Sequence, residues 1–361
     1  MSAAAVAQPD VIGAVLSHGS GARPAVDDLA GSQRRADREP IDVVIPVYNK
    51  RHLLDRALGS VIAEARRYGA ARIWLMDNGS VDGSFEVLQA LAGADVHVAR
   101  VPGVSIGALR NCGARAGTAR IISFIDCDCL LPTEFFSTLA EVFSRTGAAA
   151  AGRRIVLPPD PTWVEYTWDQ MHQDGRDGER TWINSANLAV KRELFERVGR
   201  FEETLETGED AELCQRLRAA GGVVMQDQRL SVAHLDNAKT LGAFYRKERW
   251  RGLGMFGTVS AASLDKPTAM TFAHGALLLA GLAVLVAAPL GLIGRTAVAL
   301  TLALAVPCAT VWYRTRSSVG RFGVLHAVLL YELYFLARGN AILMLLWRRV
   351  RPQPAGGEAR A

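Results

Sequence analysis

Paired cysteines are missing from this chain. Its 361 residues hold five cysteines, at positions 112, 127, 129, 214 and 308. The number is odd and the spacing is not that of a disulfide framework, which fits a reducing compartment. No stripe of Lys and Arg interleaved with aromatics runs through the first 266 residues, so nucleic acid is not expected as a partner. The formal net charge of +5 hides a division: residues 1–266 carry 32 basic and 34 acidic groups, and the remainder carries nine Arg and two acids. The basic excess flanks apolar segments, the pattern of a membrane surface. No internal repeat is evident. The apolar stretch Val11–Leu16 is too short for a signal-peptide core and has no basic region before it. Residues 1–40, rich in Ala, Gly, Ser and charge without periodicity, are expected to form a disordered leader.

What is present from Ile41 onward is an alternation of strand and helix. Ile41–Val47 reads as a strand, and a helix follows on Leu53, Leu54, Ala57, Leu58, Val61 and Ile62. Strands at Arg72–Met76 and Val96–Val101, helices at Ser84–Leu91 and Ile106–Ala116, and a strand entering Asp126 complete this half. Such alternation predicts an α/β domain with a mostly parallel sheet and helices on both faces, with ligands gathered at the carboxyl ends of the strands. Three polar clusters lie at strand carboxyl ends: Asn49, Asp77–Ser80 and Asp126–Asp128. After them come a strand at Ala149–Val156, a Pro/Trp-rich loop at Pro158–Arg180 and an apolar strand-to-helix stretch at Asn187–Val198. An acidic helix start follows at Gly208-Glu209-Asp210.

Asp126 and Asp128 carry the sharpest chemical signal. They end a short apolar run, Ile121–Ile125, and side chains at i and i+2 share one face of a strand. Two hard oxygen donors on one face can hold Mg²⁺ or Mn²⁺ and leave positions for phosphates and water. Cys127 and Cys129 alternate with them and are expected to be small core residues rather than a soft-metal site. His234, after the apolar run Leu230–Ala233, is a candidate third metal ligand or a plain core or surface histidine. Glu209 and Asp210 are either helix N-terminal acids favoured by the dipole or a general base.

After Pro267 the character changes. Met270–Ile293 and Thr296–Tyr313 are each close to the ~20 apolar residues of a spanning helix and are joined by Gly294-Arg295. Phe322–Trp347 is a third apolar segment that contains His326, Glu332, Arg338 and Asn340. Arginines flank it on both sides (314, 316 and 321; 348, 349 and 351), and a full third span would place one flank on the wrong side of the membrane. The expectation is a membrane hairpin plus an interfacial or re-entrant third helix, with three spans as the alternative.

Taken in order, these motifs resemble an inverting family 2 glycosyltransferase with a GT-A fold, of the membrane-attached bacterial type, over about Ile41–Gly254. Val44-Ile45-Pro46-Val47-Tyr48-Asn49 is similar to the first-strand motif that opens the nucleotide pocket. Asp77-Asn78-Gly79-Ser80-Val81-Asp82 is similar to the D-D-G-S-x-D motif, with Asn78 in place of the second acid. Gly107–Gly113 is similar to the A-R-N-x-G helix, and Asp126-Cys127-Asp128 to the metal motif. Gly208–Leu217 is similar to the E-D helix, and Arg246–Trp250 to the Q-x-x-R-W motif, with Arg246 where Gln belongs.

Four segments are expected: the disordered leader 1–40, a GT-A domain at 41–266 on the resemblance, a membrane region at 267–351 and a disordered tail at 352–361. The resemblance implies nucleotide binding by Pro46, Tyr48, Asn49, Asp77, Gly79, Ser80, Arg110 and Asp126. It implies a metal at Asp126, Asp128 and His234, and catalysis by Asp210 with Glu209. Arg249 and Trp250 would steer the diphosphate and acceptor. The implied reaction is metal-dependent, inverting transfer of a sugar from a nucleotide-sugar, UDP-sugar favoured, to a lipid-linked or membrane-proximal glycan acceptor. It would run at the cytoplasmic face of the inner membrane. Two rivals are a processive polysaccharide synthase, weakened by Arg246 and by few membrane segments, and a non-catalytic GT-A scaffold in an envelope complex.

Overall fold

The computed structural model describes residues 38–172, 176–253, 266–315 and 323–350, with the side chains of 348–350 excepted. The expected leader (but for its last three residues), the tail and the arginines at 316, 321 and 351 lie outside the described residues. The first half alternates as its periodicity predicts. It runs β1 (Ile41–Val47), α1 (Arg51–Tyr68), β2 (Ala71–Asp77), α2 (Ser84–Leu91), β3 (Val96–Arg100), α3 (Ile106–Ala116) and β4 (Ile121–Ile125). Then come β5 (Cys129–Leu130), α4 (Phe135–Thr146), β6 (Ala150–Gly152), α5 (Trp163–Gln170), β7 (Gly178–Glu179), β8 (Asn187–Lys191), α6 (Arg192–Arg197), α7 (Glu209–Ala219), β9 (Val224–Gln226), β10 (Ala233–His234) and α8 (Leu241–Gly252). The chain continues through α9 (Lys266–Ala287), α10 (Leu292–Thr315) and α11 (Val324–Val350).

Eight strands form one sheet in the order β3-β2-β1-β4-β8-β6-β9-β7. The β3-β2-β1-β4 half is parallel. β8 then runs antiparallel to both β4 and β6, and β7 antiparallel to β9. Every residue of β1 is buried because helices cover both faces of the sheet, which turns the usual alternation into a continuous apolar run. Ile41, Val43, Ile45 and Val47 pack with Leu54 and Leu58 of α1 and Phe136 and Leu139 of α4. Val44 packs on the opposite side with Leu109 of α3, Phe195 of α6 and Leu213 of α7.

The Pro158–Arg180 stretch, read as a loop, contains the helix α5. Its start is a capping box: the Thr162 hydroxyl accepts from the Glu165 N–H, and the Glu165 carboxylate accepts from the Thr162 N–H. That arrangement satisfies two backbone donors that would otherwise be orphaned. The two tryptophans of α5 face the C-terminal helices. Trp168 stacks near Phe244, Tyr331 and Tyr334, and Trp163 near His326.

α9, α10 and the Val324–Trp347 part of α11 are each long and apolar enough to cross a membrane. α9 and α10 form an antiparallel hairpin, with Lys266 over the Tyr313 ring at 5.1 Å at its open end. α11 meets that hairpin near the open end alone among the described contacts. His274 pairs with Glu332 at 3.1 Å, and Met270, Val306 and Val311 join Tyr331 and Phe335 in one apolar cluster. The other side of α11 lies along α8 and α5. Gly252 of α8 approaches it closely: a Cβ built on it would stand 2.7 Å from that of Ala341.

Candidate active site

Three loops at the carboxyl ends of β1, β2 and β4 build the site, as the strand pattern predicts. Asn49 follows β1 with φ of 50°, a left-handed conformation that Asn tolerates better than most residues. This turns its side chain so that Oδ1 accepts from the Val81 N–H at 2.9 Å, while its own N–H donates to Ser80 Oγ at 3.0 Å. The β1 and β2 loops are thereby tied together. Asp77 is fully buried and accepts from the N–H groups of Gly79 (2.9 Å) and Ser80 (3.0 Å). Arg100 stands 3.3 Å from the same carboxylate. Gly79 must be glycine for two reasons: its φ is 83°, and a Cβ would stand 2.8 Å from that of Pro102. Pro46 is buried at the end of β1, and Tyr48 is exposed beside it.

Asp126 and Asp128 do not share a strand face. β4 stops at Ile125, and 126–128 form a turn closed by Cys129 N–H donating to Asp126 O at 3.1 Å. The two carboxylates consequently have different partners. Asp126 Oδ1 accepts from Arg110 at 2.7 Å, and the other arm of Arg110 donates to Glu209 Oε1, also at 2.7 Å. Arg110 is almost wholly buried, and a buried guanidinium is stable there because both neighbours are acids. Glu209 accepts further from Ser185 Oγ at 3.1 Å, and Asp210 Oδ2 accepts from the Ser185 N–H at 3.1 Å. One arginine thus joins the β4 turn to the start of α7.

Burial and the adjacent Glu209 charge push the Asp210 carboxyl up to about 6, against the pull of the Ser185 and Ala211 N–H groups and of Arg110. A buried carboxyl held near neutrality has the protonation balance that a general base needs.

Asp128, Cys129 and His234 bring metal-capable atoms within 4.8 Å of one another. Asp128 Oδ1 is buried without a hydrogen-bond partner among the described residues, and His234 Nε2 stands 3.2 Å away. An orphaned carboxylate oxygen facing an imidazole nitrogen suits a divalent cation. Burial lowers the His234 pKa, with the Asp128 charge opposing, which leaves the neutral ring a ligand requires. Burial pushes the Cys129 thiol well up, and Cys129 and Cys127 both belong to the core cluster. The oxygen and nitrogen donors, not sulfur, make the candidate metal centre. Asp126 lies outside this cluster, held instead by Arg110.

Three further residues enter that were not singled out from the sequence. Lys50 Nζ is 3.4 Å from Asp128 Oδ2 and bonded to Asp236, and Lys247 of α8 donates to Asp236 O at 2.9 Å. The signals were slight: Lys50 follows Asn49 directly, and Asp236 stands two residues after His234. Arg249 and Trp250 are not joined to this cluster by any contact among the described residues. Trp250 is 48% exposed, and its neighbour Glu248 turns instead to Arg251 and Arg338.

Residues 42–199 match the family described as Glycosyl transferase family 2. Among characterised relatives, the chain is 26% identical over 188 residues to the glycosyltransferase AglE of Haloferax volcanii, covering 50% of this chain and 62% of that protein. It is 25% identical over 249 residues to the pre-mycofactocin glycosyltransferase of Mycobacterium tuberculosis, covering 66% of this chain and 51% of that one. The chain therefore spans about half to three-fifths of these relatives' length. The mannosyltransferase PcManGT of Pyrobaculum calidifontis, solved with GDP-Man and Mn²⁺, superposes with a TM-score of 0.54 at 15% identity, over 87% of this chain and 89% of that one. That likeness is one of fold, and it agrees with the GT-A architecture described above. In strand order and in the matched span, residues 42–199 are similar to the glycosyltransferases of family 2.

Proposed function

We propose that the protein transfers a sugar from a nucleotide-sugar, with inversion and with the help of a divalent cation, to a lipid-linked or membrane-proximal glycan acceptor. The observation that carries this is the Arg110 bridge. It fastens the turn bearing Asp126 and Asp128 to the helix start bearing Glu209 and Asp210. Leaving-group side and base side are thereby held as one unit, as a displacement with inversion requires.

In this reading Asp77, Gly79, Ser80, Asn49, Tyr48 and Pro46 form the wall of the nucleotide pocket. Asp128 and His234 would hold Mg²⁺ or Mn²⁺, which when bound neutralises charge growing on the diphosphate. Lys50 and Lys247 add positive charge beside it. Asp210 takes the proton of the acceptor hydroxyl, and Arg110 with Glu209 orients it. Arg249 and Trp250 are reassigned from the diphosphate to the rim of α8. UDP-sugar remains the proposed donor; GDP is the alternative to test, since the solved neighbour holds GDP-Man.

Attachment to the inner membrane at its cytoplasmic face completes the reading. The α9–α10 hairpin would enter the bilayer from its open end. α11, about 40 Å long at ~1.5 Å per residue, would lie in the membrane surface. Its support is geometric: the hairpin's open end lies on one side and the polar catalytic domain along the other.

Asp210→Asn tests the base role. Transfer should fall about 10²- to 10⁴-fold while nucleotide affinity is retained; normal turnover would remove Asp210 from that role.

A further inference from the structure

Two buried donors on α11 have no acceptor. Among the described residues, the Tyr331 hydroxyl and Arg338 Nε have no hydrogen-bond partner. They lie seven positions apart, two turns along one face of the helix. A donor left unpaired in a low-dielectric setting costs about 1–3 kcal/mol, so an unmet acceptor is expected there.

The surroundings carry an excess of positive charge. Arg338 stands 3.3 Å from Glu248, whose other oxygen takes Arg251 at 2.6 Å. Arg154 pairs with Asp169 at 3.3 Å and donates to His172 O. Arg314, at the end of α10, donates to Met171 O at 3.3 Å. Burial lowers the Arg154 pKa, Asp169 opposes it, and the charges of Arg314 and Arg251 push it down further. Among the described residues, four guanidinium groups therefore gather around two carboxylates. Capping the carboxyl end of α5 accounts for the backbone bonds of Arg154 and Arg314. It accounts neither for the orphaned donors on α11 nor for the charge.

The level of this junction is marked by aromatics. Trp312 and Tyr313 are exposed just before Arg314, and Trp250 is exposed just before Arg251. Tryptophan and tyrosine in that setting suit the headgroup boundary of a bilayer.

We propose that the junction of α5, α8, α10 and α11 binds the phosphodiester headgroup of an anionic bilayer lipid. Guanidinium forks match phosphate oxygens in pairs, and a basic pocket between membrane helices is the setting in which anionic headgroups are held. The inference rests on the membrane attachment proposed above and is independent of the transfer reaction.

The test is equilibrium binding of fluorescent phosphatidylglycerol and phosphatidylcholine, matched in chain length, to the full chain in detergent micelles. Phosphatidylglycerol should bind about tenfold tighter. Arg338→Gln should cost about fivefold of that preference, and Tyr331→Phe about threefold. Arg229→Gln, which removes the same charge from a surface pair with Glu141 and Asp227, should leave it unchanged. Equal affinity for the two lipids, or equal losses in Arg229→Gln and Arg338→Gln, overturns the proposal. If Arg338→Gln does not fold, a folded Tyr331→Phe protein with undiminished preference overturns it alone. Stoichiometric displacement of phosphatidylglycerol by a short-chain prenyl phosphate would assign the pocket to the acceptor and overturn it likewise.

Discussion

Burial and the Glu209 charge raise the Asp210 pKa, and this has two opposite consequences. Its folded pKa, about 6, lies above the ~3.9 of an unfolded aspartate. The protonated side chain therefore stabilises the fold below the unfolded value, and that contribution is lost as pH rises through about 6. Above pH 6 the fold carries a buried charge that the base role needs. Asp210→Asn should accordingly be more stable than the parent at pH 8, by roughly 1–3 kcal/mol, yet nearly inactive. Thermal unfolding of both proteins at pH 5 and pH 8 checks this; a variant less stable at pH 8 would show that the carboxylate serves the fold. The rate profile of the parent should fall on the acid side near pH 6. At the proposed metal centre, Asp128→Ala should abolish the manganese dependence of nucleotide binding, and His234→Ala should weaken it by about 10-fold, within the range of a lost ligand or its support.

Among the elements, α8 links the two halves of the molecule. Lys247 faces the site through Asp236, while Glu248 and Gly252 face α11. Burial would raise the Glu248 pKa, but Arg251 and Arg338 together hold it below the usual value. Gly252→Ala places a methyl against Ala341 and should destabilise the packing by about 1–3 kcal/mol. Ala341→Gly in the same chain should recover much of the loss if that contact is the cause, as a double-mutant cycle would show.

The elements differ in how far they could be read from sequence. α2 and α3 run over the residues expected, because their faces repeat at helical spacing and their ends carry turn residues. α5 was not legible because the prolines before it (158, 159 and 161) and its tryptophans read as a loop, although Thr162 and Glu165 spelled a capping box. The direction of β8 was not legible, since a strand buried on both faces looks alike parallel or antiparallel. In the site, the loops after β1, β2 and β4 were found from their polar residues. The Arg110–Glu209 bond was not: its partners lie 99 positions apart, and both fit a solvated helix face equally well. Asp126 and Asp128 were expected to act together, and the end of β4 at Ile125 separated them.

For the whole molecule, the proposed arrangement is a catalytic domain on a membrane hairpin, with α11 between them. Single cysteines, introduced after replacement of Cys112 and Cys308, test the arrangement by labelling with an impermeant maleimide. Leu290, in the hairpin turn, should react from the side opposite the catalytic domain. Leu325 and Leu346, near the two ends of α11, should both react from the catalytic side; reaction from opposite sides would make α11 a third span. The central claim is that the loops at the strand ends form a metal-dependent nucleotide-sugar pocket. Calorimetric titration of the solubilised protein with UDP and with GDP, each with and without Mn²⁺, tests it most directly. The account predicts binding of one nucleotide, UDP in the present proposal, that requires manganese and is lost in Asp128→Ala. A folded protein that binds neither nucleotide in the presence of manganese would contradict it.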